Sequence, residues 1–177
     1  MAERSYSVWA LAPADHPGLE EAASHLLRDY GGPKFEAHVT VLGGIALARE
    51  DAIAKLQSLC RSLPPISYRL TGVDHGSFYY QCIYLTVDPT PQVMEANAKA
   101  QSVFGQAPAK EYMPHLSLIY GDLSDEDLNS AKAVAEKYSQ FYKNSEFVVN
   151  KLCLYETDTN DKMLTTWKRI AEFPLEG

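Results

Sequence analysis

The fold turns on PKFEAHVTVLGG, Pro33 to Gly44, whose central tetrad His38-Val39-Thr40-Val41 returns as His115-Leu116-Ser117-Leu118 inside EYMPHLSLIYGD, Glu111 to Asp122. In an extended chain successive side chains point to opposite faces. His38 and Thr40 therefore share one face and Val39 and Val41 the other, and His115 and Ser117 repeat the arrangement. Each tetrad predicts a short strand, anchored by its apolar pair and presenting an imidazole together with a hydroxyl. If the two strands lie side by side, two histidines 77 residues apart in sequence (115 − 38) face one groove.

Working outward, SYSVWALAP predicts a strand with Tyr6, Val8 and Ala10 on one face and Ser7, Trp9 and Leu11 on the other, ended by Pro13. Helical spacing runs from Pro17 through Leu19, Ala22, Ala23, Leu26 and Leu27 to Gly31-Gly32, and a second helix runs from Arg49 to Ser62, stopped by Pro64-Pro65. SYRLTGVDHGSF and QCIYLTVDP form a hairpin across Tyr79-Tyr80. Thr90 caps a third helix that has Pro91 in its first turn, and Ser124 opens a fourth with a capping box to Asp127, reading on to Tyr142. SEFVVNKLCLYETD and LTTWKRIAEFPL are two final strands around the polar turn TDTNDK.

The order β α β α β β α β α β β places each histidine strand between helices. It predicts an α+β protein of two pseudo-symmetric halves, with a boundary between Pro64 and Tyr80. A chain of 177 residues, 46% of them hydrophobic, is expected to form one domain over residues 1–177.

A net charge of −7 and a pI near 5.2 argue against a stable complex with long nucleic acid, because binding phosphate backbone needs clustered Lys and Arg. Lys34, Lys110 and Lys151 are the candidates for a local basic rim. MAERSYSVWALAP has no apolar run after a basic segment, and no window approaches eighteen apolar residues. A soluble, cytoplasmic monomer without membrane contact is expected. Cys60, Cys82 and Cys153 are odd in number and far apart, indicating neither a disulfide framework nor a zinc site. They read as buried thiols.

A lone histidine in an apolar strand is more often a hydrogen-bonded core residue than a catalyst. Two tetrads ask for more. Histidine accepts and donates protons near neutral pH, so a facing pair supplies both a general base and a general acid. Opening a cyclic phosphodiester needs both, while Thr40 and Ser117 can donate hydrogen bonds to the non-bridging oxygens. His16 at a turn and His25 on a helix read as surface or boundary residues, and His75 lies in a loop near the possible groove.

The tetrads HVTV and HLSL, with YSVWALAP, GGPKFEAHVTVLG, FYYQCIYL, TPQVMEAN, YMPHLSLIY and LYETDTNDKMLTTW, resemble the two-histidine (2H) phosphoesterase superfamily, and within it the plant-type cyclic nucleotide phosphodiesterases. The resemblance implies a bilobal fold with a central groove between antiparallel sheets and hydrolysis without a metal or other cofactor. Its substrates would be ADP-ribose 1″,2″-cyclic phosphate, opened to ADP-ribose 1″-phosphate after tRNA splicing, and nucleoside 2′,3′-cyclic phosphates, opened to 2′-phosphates. It carries over His115 as base and His38 as acid, Thr40 and Ser117 as phosphate contacts, Tyr120 as a phosphate or ribose contact, and Trp9 and Tyr80 as a sandwich for a base.

Two other classes compete. A catalytically silent module of the same fold would bind nucleotides or RNA ends, yet binding alone does not need two proton-transfer groups. A metallohydrolase would use histidines as ligands, yet no His-x-x-x-His spacing or carboxylate cluster accompanies the tetrads.

Overall fold

The computed structural model describes residues 2–107 and 111–177. In chain order its elements are β1 (Glu3–Leu11), α1 (Leu19–Tyr30), β2 (His38–Ala48), α2 (Arg49–Ser62), β3 (Ile66–Phe78), β4 (Gln81–Val87), α3 (Pro91–Val103), β5 (His115–Ile119), α4 (Asp125–Glu136), α5 (Ser139–Tyr142), β6 (Glu146–Val149), β7 (Lys151–Glu156) and β8 (Lys168–Pro174). The eight strands form one antiparallel sheet in the order β6-β3-β4-β5-β2-β1-β7-β8. The two histidine strands are its central neighbours.

The sheet consists of two four-stranded halves, β6-β3-β4-β5 and β2-β1-β7-β8, joined where Val39 pairs with Leu116. The chain enters the first of these at β3, just after Pro64-Pro65, and leaves it at Asn150. Asn150 alone separates β6, at one edge of the sheet, from β7, next to the other edge. Consecutive Cα atoms are about 3.8 Å apart, so so short a link requires the sheet to curl until its ends meet. Leu175 closes the seam by donating its N–H to the Asn150 carbonyl at 2.8 Å.

SEFVVNKLCLYETD is therefore two strands rather than one. EFVV alternates between exposed and buried, with Phe147 and Val149 inward, whereas Leu152 to Tyr155 are all buried because β7 is covered on both faces. The fourth helix also divides. It stops at Glu136, and after a short turn α5 carries the Tyr142 ring into the core, where its hydroxyl donates to the Ala135 carbonyl at 2.7 Å.

The helices cover one face of the sheet with regular apolar stripes, among them Leu19, Ala22 and Leu26 of α1 and Ala52, Leu56 and Leu59 of α2. One core cluster draws on these residues together with Val39, Val41, Leu116 and Leu118. The helices cross between halves: α1 packs on β5 and α4, and α3 packs on β2 and α2. Caps hold the starts. Thr90 Oγ1 accepts from the Val93 N–H at 3.3 Å, and Ser124 Oγ accepts from the Asp127 N–H at 3.1 Å with three acids in the first turn. Among the described residues no helix is long and apolar enough to cross a membrane.

Candidate active site

The antiparallel pair Val39–Leu116 fixes the register of the two tetrads. One step to either side, His38 of β2 lies across from Ser117 of β5, and Thr40 lies across from His115. Each histidine is thus flanked by its own hydroxyl two residues along and by the hydroxyl of the other tetrad across the strand pair. The apolar members point into the helix-covered core, which leaves all four polar side chains on the opposite face.

That face opens into a cavity of about 530 Å³. His38, Thr40, His115, Ser117, Tyr120, Trp9 and Tyr80, the seven residues singled out in the sequence, all line it. So do Ser7, Thr157, Thr159, Gln81, Phe78 and Trp167. Among the described lining residues there is no Lys, Arg, Asp or Glu. Of the three candidates for a basic rim, Lys34 lines a neighbouring hollow with Phe35 and Glu36 and Lys151 pairs with Glu172 at 3.0 Å, neither of them lining this cavity, and Lys110 lies outside the described residues.

Both imidazoles are held the same way. Nδ1 of His38 lies 2.7 Å from the Glu36 carbonyl, and Nδ1 of His115 lies 2.9 Å from the Met113 carbonyl. A carbonyl oxygen only accepts, so Nδ1 carries the proton in each ring and Nε2 keeps its lone pair for the cavity. Sequence patterning did not single out these carbonyls, although both lie two residues before their histidine.

The two rings differ in environment. His38 is 3% exposed, and burial pushes it down to about 4, against the opposing hydrogen bond to Glu36 and with a further lowering by His115. His115 is half-buried; burial lowers it too, opposed by its bond to the Met113 carbonyl. Trp9 covers one face of His38, its ring stacked on the imidazole at 3.4 Å between centroids and 8° between planes.

The far side of Trp9 is also covered. β1 lies between β2 and β7, and Tyr155 of β7 stacks on the indole at 3.9 Å and 22°. With both faces occupied, Trp9 offers the cavity an edge, so the expected base sandwich between Trp9 and Tyr80 is corrected. The near-parallel aromatic partner of Tyr80 is instead Trp167, at 5.7 Å and 17°. The Tyr80 hydroxyl donates to the Thr159 carbonyl at 2.7 Å, and Trp167 Nε1 donates to the Asp158 carbonyl at 2.8 Å. The first bond fastens the β7–β8 loop to the hairpin turn of the other half, and the second braces that loop internally.

Tyr120 is buried between Phe35, stacked at 4.1 Å, and Tyr80, edge-on at 5.1 Å. Burial pushes its phenol well up, so it is a neutral donor. Gly32 makes room for this part of the chain: at φ 103° its Cα approaches so closely that a Cβ would stand 2.6 Å from the Tyr120 carbonyl oxygen. Ser7 and Thr157 share a 2.8 Å hydroxyl–hydroxyl bond at another wall. Ser7 was readable in principle, since it alternates with Trp9 on the same face of β1. Trp167 and Thr157 had no signal beyond the resemblance of LYETDTNDKMLTTW.

The other histidines lie elsewhere. His16 is buried, with Nε2 2.7 Å from Ser145 Oγ; His25 bonds to the Tyr138 hydroxyl at 2.8 Å; His75 sits on β3 opposite Ile83. His75 is therefore a strand residue rather than a loop residue. Among the described residues no group of three or more His, Cys, Asp or Glu side chains is placed to hold a metal ion.

A family model described as the 2′-5′ RNA ligase superfamily matches residues 11–161. A cyclic phosphodiesterase of Arabidopsis thaliana is 35% identical over 167 residues, covering 94% of this chain and 92% of that protein. A 2′,3′-cyclic-nucleotide 3′-phosphodiesterase of Yarrowia lipolytica (strain CLIB 122 / E 150) is 23% identical over 158 residues, covering 66% of this chain and 73% of its own. In fold, the chain superposes on E. coli LigT complexed with 3′-AMP with a TM-score of 0.64 at 13% identity, covering 99% of each chain.

Proposed function

Because the chain belongs to the 2′-5′ RNA ligase superfamily, the two-histidine phosphoesterases, we propose that it is a hydrolase that opens cyclic phosphodiesters by paired histidine acid–base catalysis. The observation that carries this reading is the pair of imidazoles on neighbouring strands, each with Nδ1 tied to a backbone carbonyl, Nε2 left to one cavity and a hydroxyl on either side.

In the proposed reaction one Nε2 takes a proton from water as the water oxygen bonds to phosphorus. The endocyclic P–O bond breaks, and the second histidine gives its proton to the departing alkoxide. Thr40 and Ser117 donate to the non-bridging oxygens, where negative charge grows in the transition state. Family likeness assigns His115 as the base and His38 as the acid. Tyr120 supplies a further neutral donor, and Tyr80 with Trp167 supplies the aromatic wall for a base. No step draws on a metal ion.

The cavity's size suits a nucleotide rather than a polymer, and its described lining, free of Lys, Arg, Asp and Glu, suits the cyclic phosphodiester group, which itself carries a single negative charge. We assign as substrates ADP-ribose 1″,2″-cyclic phosphate, opened to ADP-ribose 1″-phosphate downstream of tRNA splicing, and nucleoside 2′,3′-cyclic phosphates, opened to 2′-phosphates. The test is hydrolysis of ADP-ribose 1″,2″-cyclic phosphate and 2′,3′-cyclic AMP in excess EDTA by wild type, His38→Ala and His115→Ala. Turnover by wild type alone supports the mechanism. A folded wild type that binds these compounds without turnover would make the chain a nucleotide-binding module.

A further inference from the structure

The two imidazoles share a hydrogen-bonding pattern, but among the described residues only Glu36, of the two residues whose carbonyls hold them, has its side chain clamped. The Glu36 carboxylate accepts from Arg169 Nη2 through both oxygens at 3.1 Å, and it accepts from the Tyr155 hydroxyl. Arg169 Nε in turn donates to the Tyr155 oxygen at 3.2 Å, and its guanidinium lies 5.7 Å from the centre of the Tyr155 ring. Tyr155 stacks on Trp9, and Trp9 stacks on His38. The circuit starts at the Glu36 carbonyl, passes through a carboxylate, a guanidinium and two aromatic rings, and returns to the face of the imidazole that this carbonyl orients. Tyr155 and Arg169 pair across β7 and β8. Met113, by contrast, has an exposed side chain and, among the described residues, no comparable clamp.

We infer that Glu36, Arg169 and Tyr155 are positioning residues for His38, clamping the Glu36 carbonyl and the Trp9 ring so that the imidazole keeps its proton on Nδ1 and its Nε2 towards the phosphate. The inference rests on the two-histidine reading above. None of the three lines the cavity, so they act through His38 rather than on substrate. The ion pair also balances charge beside a buried ring. Burial opposes ionisation of Glu36, but the hydrogen bonds from Tyr155 and Arg169 outweigh it and hold the carboxyl below its usual range. His38 otherwise faces Trp9 of β1 and Phe35, which are uncharged, and His115 of β5, which titrates. Cutting the pair from its two ends should therefore move His38 in opposite directions. Without Arg169, an unpaired carboxylate favours the imidazolium; without the Glu36 carboxylate, an unpaired guanidinium disfavours it.

The variants are Arg169→Gln, Glu36→Gln and Tyr155→Phe. Glu172→Gln is the control, because it removes the charge of the other carboxylate on Arg169, at 3.0 Å from Nη1, without touching Glu36. The first readout is the imidazole nitrogen spectrum of the free, folded proteins, which reports tautomer and titration without any substrate. His38 should be wholly Nδ1-protonated in wild type and Glu172→Gln and mixed between tautomers in the other three, with His115 unchanged. Its titration should move up in Arg169→Gln and down in Glu36→Gln. The second readout is turnover of 2′,3′-cyclic AMP, where we expect kcat to fall about 10-fold or more and KM to change by less than about threefold in the three variants. A single His38 tautomer with unmoved titration in all folded variants would overturn the inference and leave the circuit a surface staple. Loss of wild-type turnover with the spectral shifts intact would instead overturn the proposed reaction.

Discussion

His38 stands across the strand pair from Ser117, and Thr40 stands across from His115, because Val39 and Leu116 are the residues that pair β2 with β5. Each histidine therefore has a hydroxyl from the other half of the molecule beside it across the strand pair. Thr40→Ala and Ser117→Ala should each lose about 2 to 4 kcal/mol of transition-state stabilisation, read as kcat/KM. In the proposed reaction the two hydroxyls serve one phosphate, so the double variant should lose less than the sum of the two. Full additivity would mean that the hydroxyls act on separate groups.

Catalysis needs one ring protonated while the other is neutral. Burial lowers both, His38 to about 4 and His115 below its ordinary value. The window in which one ring is charged thus lies between about pH 4 and 6.5, whichever ring is the base. kcat/KM, which reports the free enzyme, should be bell-shaped with its maximum on the acid side of 6.5. A maximum above pH 7, or a profile flat from pH 5 to 8, would contradict paired imidazoles in this environment.

Trp9 insulates His38 and ties β1 to β7. Trp9→Ala removes a buried ring stacked on both faces and should cost about 3 to 5 kcal/mol in denaturant unfolding. It should also let water reach His38, so that its titration rises from about 4 towards its ordinary value. Trp9→Phe, which keeps a ring in the stack, should show smaller changes in both measurements.

Gly32 adopts φ 103°, with the Tyr120 carbonyl in the place a Cβ would take. Gly32→Ala should destabilise the fold by about 1 to 3 kcal/mol and displace Tyr120 from the cavity wall. A denaturation midpoint equal to that of wild type would show that the backbone yields there.

All three cysteines are free and buried, and burial raises Cys60 to about 12 and Cys82 and Cys153 to about 11. A neutral, inaccessible thiol is a poor nucleophile. An aromatic disulfide reagent at pH 8 should label none of them in the native protein within minutes and all three in denaturant. Rapid native labelling of any one would mean that the surrounding strands open locally.

The tetrads were legible because strand alternation is a strict rule, and because an imidazole beside a hydroxyl on a half-buried strand is rarely decorative when it occurs twice. The cap residues Thr90 and Ser124 and the prolines after α2 were legible for local reasons of the same kind. Asn150 was not. Nothing in one polar residue announces that the chain passes from one edge of a curled sheet to the strand beside the other edge, although the change from alternating EFVV to continuously apolar LCLY marks the place. The Glu36 circuit was invisible for a different reason: Glu36 lies 119 residues from Tyr155 and 133 from Arg169, and they meet only because β7 and β8 return to β1. The Trp9 stack shows the limit of reading faces. Alternation placed the indole on the correct side of β1, but only the neighbouring strands reveal that both of its surfaces are already taken.

A wall whose described residues include no Lys or Arg also bears on how the proposed catalytic cycle ends. Ring opening turns a monoanion into a phosphomonoester that takes on a second negative charge above about pH 6. Neutral hydroxyls and a phenol can hold the first charge, but no fixed cation along the described lining answers the second. In the proposed reaction the chemistry thus loosens its own product, which should leave more readily as the pH rises.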